Sequence, residues 1–237
     1  RNTQNIGEFN ALFLTDINAV CHPDLFESFK RVKQQGGLIM HNHPGYTRKT
    51  TDIAAGEQAR AYEEGWIDGV EIVNSTTLFP QTIRRCIERG LFMAANTDAH
   101  KPTSNVWSAD RDFFRTMTFI LAKECTEKAI REALEKRRTI AYSGDQLMGE
   151  EQLLSDFFNA AIECQVLHKD KSKGVMKLRL HNASSITFRL AHNGAIYEIE
   201  PFKSVNLTYK GATPKFTIEN MWHIDYQHPT IVVEIDN

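Results

Sequence analysis

The chain has no run of apolar residues near the roughly 18 that a membrane-spanning helix needs, so no helical span is expected. Its first residues, Arg1-Asn2-Thr3-Gln4, lack the apolar centre of a secretory signal, and it does not begin with Met; a processed or partial product is expected. Charge of one sign is also scarce: 28 Lys and Arg against 30 Asp and Glu give a formal net charge of −2. That balance favours no nucleic-acid partner. Cysteine is limited to Cys21, Cys86, Cys125 and Cys164, never as C-x-x-C, which excludes a zinc knuckle and a dithiol redox motif. Core filling is expected of Cys21, Cys86 and Cys164. There is no G-x-S-x-G elbow for an acyl-serine hydrolase and no glycine-rich phosphate loop, so covalent catalysis and nucleotide-driven chemistry both lose ground. Internal repeats and low-complexity tracts are missing too.

There is enough apolar sequence for a sizeable core: 41% of 237 residues, room for one large domain or two modest ones. Up to about residue 145, strand-like and helix-like segments alternate, the pattern of βα units. Strands are predicted over 9–14, 38–40, 69–73, 91–95, 116–122 and 139–142, with about five of them parallel. Helices are predicted from Pro23 to the Gly36-Gly37 stop, over 52–64 before Gly65, over 80–89 before Gly90, and after the cap Thr126, where Ala129, Ile130, Ala133 and Leu134 face inward. A linking helix is expected in 146–163, carrying Leu153, Leu154, Phe157, Phe158, Ala161 and Ile162. Beyond it, short alternating segments separated by turns such as Asn193-Gly194 and Lys210-Gly211 predict a small antiparallel β-sandwich over 164–237.

Two polar runs close apolar strands: His41-Asn42-His43-Pro44-Gly45 after Leu38-Ile39-Met40, and Asn96-Thr97-Asp98-Ala99-His100 after Leu91 to Ala95. The carboxyl ends of strands are where α/β folds keep their chemistry. Residues two apart on an extended chain share a face, so His41 with His43, and Asp98 with His100, are expected to present two donor pairs to one pocket. Carboxylate with imidazole suits zinc, manganese or iron better than calcium or magnesium. His43, Asp98 and His100 are the expected ligands. His41 is open between ligand, support to a ligand, and core packing. Glu71, a carboxylate inside the apolar strand Gly69-Val70-Glu71-Ile72-Val73, needs a partner if buried and is expected to face the pocket. Arg48, Lys49 and Lys101 stand just past the two runs, where a cation can hold a phosphate oxygen. His168, His181, His192, His223 and His228 show no ligand spacing and are read as structural or surface residues.

Taken together, Gly36 to Gly45, Gly69-Val70-Glu71-Ile72-Val73-Asn74 and Asn96 to His100 resemble the later motifs of the polymerase and histidinol phosphatase (PHP) family. The helix 126–138 and the strand Thr139-Ile140-Ala141-Tyr142-Ser143 after it are similar to the end of that domain. The resemblance covers residues 1–145; the segment beyond the linking helix resembles a domain appended in some bacterial members. It implies an α/β fold, the C-terminal portion of a distorted (β/α)7 PHP barrel with a small antiparallel β-sandwich after it. The implied activity is hydrolysis of small phosphate esters by metal-activated water, with two or three divalent ions. By the same resemblance His43 and Asp98 are metal ligands and His100 a ligand to the same cluster. The family's first motif, a His-x-His ending the first strand, and the histidine and glutamate after it have no counterpart before Gly36. The expectation is therefore a natural protein with more chain ahead of Arg1. Two rival readings stay open: a metal-dependent amide hydrolase with similar ligands, and a non-catalytic relative whose β domain binds a glycan or a protein.

Overall fold

A computed structural model describes residues 7–45, 56–102 and 115–235. The chain divides into two compact units between Gly144 and Asp145.

In the first unit the order is β1 (Glu8–Leu12), α1 (Leu25–Gln34), β2 (Leu38–Asn42), α2 (Gly56–Glu63), β3 (Gly69–Asn74), β4 (Thr77–Leu78), α3 (Gln81–Arg89), β5 (Phe92–Asn96), β6 (Met117–Ile120), α4 (Glu127–Glu135) and β7 (Thr139–Ser143). The helices begin where side chains can take up free backbone N–H groups. Asp24 Oδ1 accepts from Glu27 N at 2.9 Å for α1, and Thr126 Oγ1 from Ala129 N at 3.3 Å for α4. Helix α3 instead starts after Pro80 and closes on Gly90, whose φ of 68° is the left-handed cap that glycine adopts freely. The α1 residues Phe29 and Val32 are buried, as their spacing predicts.

Strands β2, β3 and β5 are parallel, with β3 in the centre. The expectation of about five parallel strands needs correcting: β1 runs antiparallel to β2, and β6 antiparallel to β7. Apolar periodicity does not encode strand direction. Strand β1 is an edge with exposed residues on both faces, so it lacks the double cover that parallel strands require. Beside β5, threonine hydroxyls replace a backbone ladder: Met93 N donates to Thr139 Oγ1 (3.1 Å) and Ala95 N to Thr118 Oγ1 (2.9 Å). Since Thr118 pairs with Ala141, β7 advances in the same sense as β5. Gly69 opens β3 where a Cβ would lie 2.2 Å from the Phe92 ring, so only glycine allows β3 and β5 to meet there.

The second unit contains β8 (Gln146–Met148), α5 (Glu151–Ala161), β9 (Ile162–Asp170), β10 (Val175–Asn182), β11 (Phe188–His192), β12 (Ala195–Ile199), β13 (Ser204–Lys210), β14 (Lys215–Ile218), β15 (Met221–Trp222) and β16 (Thr230–Val232). Two antiparallel sheets run β13-β10-β9 and β12-β11-β14-β16, and β8 pairs in parallel with β15. The stretch expected as a linking helix belongs to this unit. Phe158 of α5 meets Phe188 edge-on at 5.2 Å, and Asn159 Nδ2 donates to Val232 O. Two buried asparagines pin loops to sheets. Asn182 Nδ2 donates to the carbonyls of Ile186, Ile199 and Glu200, and Asn220 Nδ2 to those of Asp145 and Thr187. Each amide thus ties several backbone carbonyls together from one buried point. None of the four cysteines forms a disulfide; Cys86 and Cys164 are buried, but Cys21 is exposed, which corrects its expected place in the core.

Candidate functional site

The carboxyl ends of β2, β3, β5 and β7 gather at one end of the first unit. Because β1 is antiparallel to β2, its first residue, Glu8, lies opposite Asn42 and joins them there. Each of three segments turns abruptly at this end: φ becomes positive at His43 (26°), Ser75 (53°) and Asp98 (52°). Non-glycine residues take such angles at a cost, and they concentrate at functional sites.

Those turns decide which way the candidate ligands face. The rule that residues two apart share a face holds only on extended chain, and the chain is no longer extended at His43 or Asp98. His41 stays in the ladder and points into the core: 1% exposed, ring stacked on Phe9 at 4.8 Å, with Nδ1 2.7 Å from the Tyr62 hydroxyl. Burial pushes the Tyr62 phenol well above its ordinary range, so that hydroxyl keeps its proton. Of the three readings left open for His41, packing and support of the site are both compatible with this placement.

His43 leaves the strand and turns to Glu8, with Nε2 3.3 Å from Glu8 Oε2. Asp98 and His100 form a separate pair on the loop after β5. The His100 Nδ1 is 2.8 Å from the Asp98 carbonyl and 3.8 Å from its carboxylate, and the ring is 83% exposed. Lys101 is exposed on the same loop. Arg48 and Lys49 lie outside the described residues.

Glu71 joins the two loops. It is 3% exposed, and its carboxylate accepts three hydrogen bonds: Oε2 from His43 N (2.6 Å) and Asn74 Nδ2 (3.3 Å), Oε1 from Asn96 Nδ2 (2.8 Å). The expectation of a pocket-end role for Glu71 thus acquires a geometry. Nearby, the Thr116 and Ser143 hydroxyls are 2.7 Å apart and both donate to the Ser75 carbonyl. Glu8, Asn74, Asn96 and Thr116 also stand at this end, and residue pattern did not single them out. A signal existed for the asparagines, since each is the polar residue closing a buried strand. Glu8 had none, because its approach depends on the direction of β1.

The donors are of the kind that binds zinc, manganese or iron, but their arrangement does not complete a site. Every histidine and cysteine of the chain is among the described residues. Among those residues no three His, Cys, Asp or Glu side chains are grouped to hold an ion. His43 is brought together with Glu8 and Glu71, Asp98 with His100, and the three expected ligands do not form one donor set. Glu71 is already saturated by neutral donors. A resident two- or three-metal cluster therefore does not fit the described residues. A cavity of about 410 Å³ lies at the opposite, amino ends of the same strands, lined by Leu38, Asp68, Arg89, Leu91 and Glu135 among others. This cavity and the donor loops are thus at opposite ends of the sheet.

No family model and no curated protein sequence matches the chain. A solved structure does: a two-domain protein from Bacteroides vulgatus ATCC 8482 containing a predicted PHP-like metal-dependent phosphoesterase. The superposition has a TM-score of 0.83 and 27% sequence identity, and covers 95% of this chain and 70% of that one. The chain is similar to a PHP-like protein. The resemblance carried by the strand-end motifs therefore holds in three dimensions, for a mixed α/β chain with several sheets and, among the described residues, five helices.

Proposed function

We propose that this chain is part of a metal-dependent phosphoesterase of the PHP type, acting on small phosphate esters. The observation that carries the reading is the convergence of three strand carboxyl ends on one buried carboxyl side chain, in a fold similar to that of the Bacteroides protein. The shared direction of β2, β3, β5 and β7 supports an arc of the (β/α)7 barrel, and the two antiparallel sheets of the second unit support the sandwich. His43, Asp98 and His100 supply metal donors in this reading, and the set is completed by donors outside the described residues. A divalent ion held by such a set would supply activation of water and polarisation of a phosphoryl oxygen. This chain's own part is to hold the donor loops in register and to offer cations, Lys101 and Arg48, to phosphate oxygens. His41, within β2, supports the site from beneath through its contacts with Phe9 and Tyr62.

The test is hydrolysis by the purified protein loaded with zinc or manganese, against aryl phosphate mono- and diesters beside acetanilides. Chelator-sensitive ester cleavage that falls about a hundredfold or more in Asp98→Ala supports the reading, the scale expected when a metal site is lost. Cleavage of the amides alone makes the chain an amide hydrolase. Absence of both activities, with no copurifying transition metal, makes it a non-catalytic relative.

A further inference from the structure

Among the described residues Glu71 is the only buried acidic side chain, and its three partners are a backbone N–H and two carboxamides, all neutral. An anion taken out of water without a cation is costly, and a neutral acceptor of similar size would serve a purely structural hub at lower cost. The partners come from three places: the turn after β2, the end of β3 and the end of β5. The 2.6 Å bond from His43 N is short and charge-assisted, and it is made by a residue held at φ 26°. Asn96 is the last residue of β5, two positions before Asp98, which is itself left-handed.

We propose that Glu71 is a positioning residue: one carboxylate sets both donor loops, holding the His43 turn directly through its backbone N–H and the Asp98–His100 loop through Asn96. Its consequence for chemistry rests on the phosphoesterase reading; the coupling of the two loops does not. Asn74 steadies the same oxygen that holds His43, so the two carboxylate oxygens divide the work between the loops. Glu71→Gln keeps an acceptor for His43 N, and its new amide N–H can meet the Asn96 side-chain oxygen after that amide turns over. Glu71→Met keeps the volume and removes every acceptor. Asn96→Ala cuts the second loop alone.

The experiment is amide hydrogen exchange of the labelled protein, read residue by residue, with Mn2+ alone as a paramagnetic probe. In Glu71→Met the His43 amide is expected to exchange at least tenfold faster while the Val70 and Met93 amides of the sheet stay within twofold; Glu71→Gln restores most of the protection. Asn96→Ala is expected to speed exchange at Asp98 and His100 and to leave His43 unchanged. Mn2+ is expected to broaden the signals of both loops in the natural protein and in Glu71→Gln, and to lose that effect in Glu71→Met. Unchanged His43 exchange in Glu71→Met overturns the proposal, and so does an equal rise across the whole sheet. Loss of Mn2+ broadening in Glu71→Gln with His43 still protected also overturns it, because Glu71 is then itself a ligand. If Mn2+ broadens nothing in the natural protein, the phosphoesterase reading fails, while the exchange results still decide the role of Glu71.

Discussion

Two carboxylates stand just before β3 and within it, and their company differs. Asp68, just before the strand, holds a cation: its Oδ2 takes Lys33 Nζ at 2.5 Å and Ile39 N at 2.6 Å, tying α1 and β2 to the start of β3. Glu71, within the strand, is held among the described residues by neutral donors. The first anion is neutralised where it stands and acts as a staple between elements. The second is buried among amide donors, toward the end where positive-φ turns and metal-type donors collect. Partner chemistry, more than burial alone, separates a carboxylate that serves the fold from one poised to serve a site.

The largest expected effect is at Glu71. Glu71→Ala leaves three donors without an acceptor, about 3–5 kcal/mol at the usual cost of unmade buried hydrogen bonds, measured by urea unfolding. Asp68→Ala is expected to cost less, about 2 kcal/mol, because Lys33 is partly exposed and turns to water, leaving the Ile39 N–H as the main loss. A greater loss at Asp68 than at Glu71 would break the comparison.

Tyr62 lines the cavity at the amino ends while its hydroxyl reaches His41 in the middle of β2. Tyr62→Phe is expected to cost about 1 kcal/mol at neutral pH. Burial raises the phenol above its ordinary value of 10.0, so its contribution is whole below that pH and is lost as pH rises beyond it. The natural protein should therefore lose stability above the phenol's ordinary value more steeply than Tyr62→Phe, as unfolding curves on the alkaline side will show. Smallest is Lys33→Met, below about 1 kcal/mol for a half-exposed pair. Its difference from the natural protein should shrink at about 1 M salt. The cost of Glu71→Ala, with no cation involved, should be far less sensitive to salt.

Much of the local structure was legible from residue pattern. Asp24 and Thr126 at helix starts, Gly90 at a helix end, and the apolar strands before His41 and Asn96 all act through neighbours a few residues away. The helix 151–161 was legible as a helix but not as part of the second unit, since membership depends on the meeting of Phe158 with Phe188. The nine-residue strand β9 was not anticipated, because it continues from α5 without a turn, Ile162 being both the helix cap and the first strand residue. At the site, the expected pairing of His41 with His43 failed on one backbone angle.

Residue order alone set where most strands and helices begin and end, that two polar runs close buried strands, and that an acid lies within the strand between them. These are short-range properties, written in spacing, caps and propensities. Packing in three dimensions was needed to turn β1 antiparallel and bring Glu8 to His43, to send His41 inward to Tyr62, and to gather His43, Asn74 and Asn96 around Glu71. The reason is physical: a hydrogen-bonding group can be met by any complementary group in the chain. Which one meets it depends on strand direction and on the sign of φ at a single turn, and the packing of distant segments fixes both.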